Sequence, residues 1–157
     1  MRCQNFIVLN TDLNYKLTMN FQEAISVCFK KYFDFEGRAS KSEFWFFYLF
    51  TIIILFAAGI LMGILMPTDS SYDNLVIWVI YLPLLIPLIA VTARRIHDFG
   101  RSGWMQCIFI PGYIVAEFLG YNAAGWIIWL ATIVLFIVYV NQKSDNRKNK
   151  FGPVPKK

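Results

Sequence analysis

The sequence predicts an all-α membrane protein, with four transmembrane helices preceded by a short N-terminal amphipathic helix lying on one membrane surface. Three observations carry this. All fifteen Lys and Arg residues of the 157-residue chain fall into three stretches, 2–41, 94–101 and 143–157, and the long apolar runs between them contain none. Because charge is costly in hydrocarbon, such a distribution belongs to a chain written for a bilayer. The composition, 57% apolar and 18% aromatic with 16% charged, exceeds what a water-soluble core of this length uses. Finally, basic residues occupy alternate connections, as the two sides of a membrane require.

Residues 1–18 show no clear periodicity and read as a disordered extension, or as an upstream start that the cell does not use; residues 19–157 form one integral membrane domain. The only apolar patch near the amino end, residues 6–9, is far shorter than a signal-peptide core, so the first span is expected to stay in the mature protein. Phe21, Ile25, Cys28 with Phe29, and Tyr32 recur at helical spacing while Glu23, Lys30 and Lys31 lie elsewhere on the wheel. That pattern predicts a helix on the inner membrane surface.

A bilayer core of about 30 Å needs roughly 20 apolar residues in a helix. Residues 44–66 meet this, and 75–93 form a second uncharged run that ends against Arg94 and Arg95. Residues 103–140 carry only Glu117 as a charge and are too long for one crossing. The run divides near Gly120, Tyr121 and Asn122, which supply turn chemistry, into spans of about 103–119 and 123–140. Pro111 and Gly112 interrupt the third, for which a re-entrant hairpin is the alternative. The prolines at 83, 87 and 111 each remove a ladder hydrogen bond, freeing the carbonyls of Val79, Pro83 and Cys107. Glu117, about 21 Å along the helix from Gly103, reaches the outer headgroups.

Counting cations sets the orientation. Arg2, Lys16, Lys30, Lys31, Arg38 and Lys41 precede the first span; Arg94, Arg95 and Arg101 separate the second from the third; six more occupy the tail, 141–157. The remaining connections have none, and the first carries Asp69 and Asp73. Both termini are therefore expected in the cytosol. Trp45, Trp104 and Tyr139 at one side, and Tyr72, Trp78, Tyr121 and Trp126 at the other, stand where interfacial anchors belong.

The net charge of +5 flanks apolar runs where anionic headgroups lie, so the partner it implies is anionic lipid rather than nucleic acid. Cys3, Cys28 and Cys107 lack ligand or disulfide spacing, and no metal or cofactor is implied. Gly59-Ile-Leu-Met-Gly63 and the pair Gly112 and Ala116 place small residues at helix-packing spacing, which suits contacts within one chain and contacts in a homo-oligomer equally.

Two polar segments, residues 35–45 and 93–104, are dense in specialised residues, among them Arg38, Glu43, Arg94, Arg95, His97, Asp98 and Arg101. Together with the tail segment 149–155, which contains Phe151-Gly152-Pro153, they form three blocks in order over about 33–155. In this the chain resembles the domain of unknown function 805 family of small bacterial inner-membrane proteins. The resemblance implies a four-span inner-membrane protein and carries over no activity. Lys41 and Met105 stand where Arg and Trp are expected to be common, and Lys cannot reproduce a bidentate Arg contact.

Carboxylates at the membrane edge are expensive unless compensated, so Glu43 and Asp98 should pair with some of Arg38, Arg94, Arg95 and Arg101, in a structural network that includes His97. Ser102 is placed to cap the third helix. The leading functional reading is a non-enzymatic binding or interaction protein whose basic cytosolic rim, Arg38, Arg94, Arg95 and Arg101, contacts anionic lipid or a small anionic ligand. A small transporter or channel subunit is the first competitor, resting on the proline breaks and Glu117. A lipid-modifying enzyme using His97 is the second. Adjacent residues on a helix do not face each other, so His97 and Asp98 make a poor acid-base pair, and no catalytic residue is assigned.

Overall fold

The computed structural model describes residues 19–65, 73–120 and 122–155. The expected extension over 1–18, the connection carrying Asp69 and Tyr72, and Tyr121 lie outside them. Among the described residues the chain is helical, with five α-helices, one 3-10 helix and an isolated bridge between Asn149 and Gly152.

Helix α1, Phe21–Lys30, starts where the Asn20 side chain accepts from the Glu23 amide at 2.8 Å, with an acidic first turn and a basic last turn suited to its dipole. It buries Ala24 and Cys28. Phe21 meets Phe46 edge-on, and Phe29 meets Phe47 and Phe50, at centroid distances of 5.6–5.9 Å. Helix α2, Lys41–Leu65, begins before the expected 44, because Ser40 accepts from the Glu43 amide and opens a polar turn ahead of the apolar run.

Helix α3, Asp73–Asp98, passes through Arg94 and Arg95 instead of ending at residue 93. Their charges are compensated by protein groups, so the first cation need not stop the helix. It ends at Gly100, whose φ of 80° lets its amide reach His97 O at 3.0 Å and lets Arg101 N reach Ile96 O at 3.3 Å. The Pro83 carbonyl, which Pro87 leaves without its ladder donor, accepts instead from the Tyr32 hydroxyl at 2.6 Å.

The third predicted span is two pieces, a 3-10 helix over Gly103–Phe109 and helix α4, Ile110–Leu119. Pro111 cannot donate to Cys107 O, and the Ile110 amide takes that carbonyl in 3-10 fashion. Ser102 does not cap with its side chain; only its backbone carbonyl is engaged, by the Met105 amide at 3.0 Å. Gly120 closes α4 at φ 71°, and Asn122 caps helix α5, Ala123–Val140, by accepting from Gly125 N at 2.9 Å.

Helices α2 and α3 pack together and run in opposite directions, since Ala39 N, just before α2, donates to Arg94 O near the end of α3 at 3.0 Å. Helices α4 and α5 form a second pair, close enough that a Cβ on Gly112 would strike the Thr132 side chain and one on Gly125 would strike Gly120 O. Gly59 and Gly63 are different: a Cβ on either would meet nothing within 4 Å, so this pair makes no close contact among the described residues. The pairs join mainly where a Cβ on Gly103 would come within 2.8 Å of Ala93 Cβ, and where Phe44 meets Phe136. A core of Cys28, Ala39, Phe44, Phe47, Val91 and Val140 lies at that end. Elsewhere large apolar side chains point outward, Ile64 and Phe56 among them, the inverse of a soluble surface. Lys41–Leu65, Trp78–Asp98 within α3, and Ala123–Val140 are long and apolar enough to cross a membrane; Gly103–Leu119 is shorter.

Candidate functional site

At the end of the bundle where α2 starts and α3 and α5 stop, the three polar sequence blocks meet. Successive residues on a helix project about 100° apart. Arg94 and Arg95 therefore serve different neighbours: Arg94 faces α1 and α2, and Arg95 faces α5 and the tail. Both are fully buried.

Arg94 Nη2 pairs with Glu43 Oε1 at 3.0 Å, while Nη1 donates to Lys31 O at 3.2 Å and Asp34 O at 2.9 Å, which pins the turn after α1. Its Nε finds no partner. The Cys28 thiol lies 3.9 Å from Glu43 Oε1. Burial, and then the Glu43 charge, push this thiol up to about 12 against the opposing pull of Arg94, so it stays protonated and donates to the carboxylate.

Asp98 serves two arginines at once. Its Oδ1 accepts from Arg38 Nε at 3.0 Å and Nη2 at 2.7 Å, and its Oδ2 accepts from Arg95 Nη1. Arg38 Nη2 also reaches Asp98 O at 3.2 Å, and the other donors of both arginines go to the end of α5 and the segment after it. Arg95 reaches Val140 O at 2.9 Å, Gln142 O at 2.6 Å and Ser144 Oγ at 3.1 Å. Arg38 reaches Arg147 O at 2.7 Å, Gly152 O at 3.4 Å and Asp145 O. Asp145 N returns a bond to Asp98 O at 3.0 Å, and Asn149 Nδ2 donates to His97 O at 2.9 Å. The tail is thus strapped across the end of α3.

His97 stands apart from the ion pairs. Its Nδ1 lies 3.1 Å from Gly37 O, and its ring stacks on Phe151 with centroids 3.8 Å apart and planes 4° from parallel. The four arginines expected as a ligand rim separate in the same way: Arg38, Arg94 and Arg95 point inward to carboxylates and carbonyls, and Arg101 is exposed. Residues that sequence reasoning did not single out, namely Ser144, Asp145 and the carbonyls of Gln142 and Arg147, supply much of the network. Backbone acceptors leave no signature in residue type. Cys28 had a signal, its place on the apolar face of α1.

Two openings flank the network. A cleft of about 540 Å³ lies between residues 40–42 and the tail, with Lys41 and Lys143 in its wall. A more apolar cavity of about 640 Å³ lies on the His97 side, against Phe35, Trp104 and Phe151.

The family described as "Protein of unknown function (DUF805)" matches residues 32–153, which takes in all three blocks. The chain is 32% identical over 127 residues to inner membrane protein YhaH of Escherichia coli (strain K12), covering 81% of this chain and 91% of that protein. It is 29% identical over 131 residues to inner membrane protein YhaI of the same strain, covering 81% and 90%. No solved structure gives a significant match.

Proposed function

Because the chain belongs to the DUF805 family of integral inner-membrane proteins, we propose that it is a non-enzymatic binding protein of the inner leaflet. In this reading its basic end lies in the cytosol and holds anionic lipid. The observation that carries the proposal is the division of labour among the cations. Arg38 and Arg95 are consumed in fastening the tail, and this fastening leaves Lys41, Arg101, Lys143 and Lys148 exposed around the mouth of the bundle. Cations fixed at that depth attract anionic headgroups by about 1 kcal/mol each.

The topology proposed with it has four crossings and both termini inside. The 3-10 helix and α4 together measure about 29 Å at rises of about 2.0 and 1.5 Å per residue, close to the hydrocarbon thickness. Helix α1, with Phe21 and Phe29 exposed beside Phe33 and Phe35, suits the headgroup boundary at the same end. The open face at Gly59 and Gly63 is available to lipid or to a second copy of the chain. Against a transport path stands the use of the buried threonines, for Thr51, Thr92 and Thr132 each donate to the carbonyl four residues earlier. Against catalysis stands the stacking of His97 with Phe151, with no nucleophile bonded to its ring.

The test is native mass spectrometry of the full chain released from native-lipid nanodiscs, with the retained lipid compared to the bulk membrane at low and high salt. Enrichment of anionic lipid that weakens with salt is expected. Retained lipid that mirrors the bulk would end this reading.

A further inference from the structure

We propose that the cleft between residues 40–42 and the tail is a binding site for a phosphate monoester dianion, an inference that rests on the lipid-binding reading and gives it a location. The first support is an imbalance of buried charge. Arg38, Arg94 and Arg95 bring three positive charges to the network, while Glu43 and Asp98 bring two negative ones, which leaves one cation in excess. Excess charge in a low-dielectric interior is felt at short range and favours an anion nearby. A third carboxylate, Asp145, is half-buried at the edge of the network, accepts from the Arg147 amide at 3.1 Å and makes no ion pair with Arg38, Arg94 or Arg95, so its charge offsets the excess only from a distance.

The second support is the donor set in the wall. Ser144 Oγ accepts from Arg95 Nη1 at 3.1 Å and also lines the cleft, so its own hydrogen is left to donate outward, polarised by the guanidinium behind it. Ser40 Oγ and Ser42 Oγ lie 2.9 Å apart and share one hydrogen, and Ser40 Oγ also accepts from Glu43 N; the second hydrogen of the pair is free. Lys41 uses one ammonium hydrogen on Asn141 O at 2.7 Å, which leaves two. Lys143 is exposed and has no partner among the described residues.

Two ammonium groups, two hydroxyl hydrogens and one surplus buried charge match a group with three acceptor oxygens and a charge of about −1.5 to −2 near neutral pH. A volume of about 540 Å³ also takes the ester carbon chain beside the phosphate. Val154 and Pro155 supply an apolar wall for it. Such a phosphate is found on a lipid headgroup and on a soluble ester alike.

The experiment uses the full chain in two arms: phosphatidylcholine nanodiscs with and without phosphatidic acid, read by native mass spectrometry, and detergent-solubilised protein titrated with inorganic phosphate. Lys41→Gln/Lys143→Gln should weaken binding by about tenfold or more, and Lys30→Gln, on α1 and outside the cleft, by less than about threefold. Lys143→Gln alone disturbs no internal contact and guards against loss by misfolding; it should weaken binding severalfold. Binding in the lipid arm only assigns the phosphate to a headgroup, and binding in the phosphate arm assigns it to a soluble ester. Equal losses in the cleft variant and Lys30→Gln, or none in the cleft variants, would overturn the cleft while leaving anionic-lipid enrichment intact. No preference of the wild type for phosphatidic acid or phosphate would overturn both.

Discussion

Replacing Asp98 with Asn removes one negative charge from between two buried guanidiniums while keeping the shape of the side chain. Removing one partner of a buried ion pair costs about 3–5 kcal/mol, because the other charge stays buried and uncompensated. Here two cations lose their counterion together, but neither is stripped bare: Arg38 keeps carbonyls of Asp145, Arg147 and Gly152, and Arg95 keeps those of Val140 and Gln142. The expected cost therefore stays at about 3–5 kcal/mol instead of doubling. It falls on the docking of the tail, since Asp98 anchors both of its clamps and its own backbone carbonyl holds Asp145 N. At a factor of ten per 1.4 kcal/mol, the undocked population rises by roughly 100-fold to 1,000-fold or more. Trypsin reports it directly, because Arg147, Lys148 and Lys150 lie in the strap, and cleavage tracks the open population when reclosing is fast. Asp98→Asn should speed cleavage there by roughly 100-fold or more with helical content unchanged. Acceleration under about fivefold in folded protein would refute the assignment of Asp98 as the anchor.

The second carboxylate gives a thermodynamic cycle: Glu43→Leu and Arg94→Met should each destabilise the protein, and the double variant should cost at least about 2 kcal/mol less than their sum, measured by denaturant unfolding in detergent. Additivity within about 0.5 kcal/mol would sink the pairing. Cys28 supplies a pH effect. Folding raises its thiol from 9.0 to about 12, so the protonated native form is favoured. This contribution is complete below pH 9.0 and is lost as the pH rises through that window, which makes the wild-type melting temperature fall on the alkaline side more steeply than that of Cys28→Ala. Parallel curves would contradict it. Among the glycines, Gly112→Val should destabilise by about 1–3 kcal/mol by striking Thr132, while Gly59→Val should cost no more than its helix propensity in the monomer. Equal losses would mean that α4 and α5 do not pack as described.

That the charged blocks lie at the ends of long apolar helices could be read from the chain, because hydrophobic run length and the position of cations mark where such helices begin and end. The side of the helix that each charge faces could not. Arg94 and Arg95 are neighbours in sequence and identical in type, yet one holds the turn at residues 31–34 and the other the segment after α5. That choice depends on which element each helix face meets. The end of α3 was misplaced for a related reason. Stopping at residue 93 supposes that Arg94 and Arg95 meet lipid phosphates, whereas carbonyls and carboxylates of the protein meet them. The break at Pro111 was legible as a missing donor, but its repair by Ile110 N through a 3-10 turn is a conformational response that residue type does not encode. The break between α4 and α5 was readable because a glycine of positive φ at residue 120 and a capping asparagine at 122 are local devices that need no partner elsewhere.

The strap has a bearing on the order in which the molecule is made. Arg38 and Arg95 are synthesised before α4, yet the groups that take up most of their donors, from Val140 to Gly152, emerge only as α5 ends and after it. Until then Asp98 holds two cations that still lack most of their acceptors. The final segment adds a strap across the end of α3 to the packing that joins the two helical pairs at Ala93 and Gly103 and at Phe44 and Phe136. A chain that stops before residue 142 has the apolar content of the finished protein but lacks the acceptors that close it, those of Gln142, Ser144, Asp145, Arg147 and Gly152.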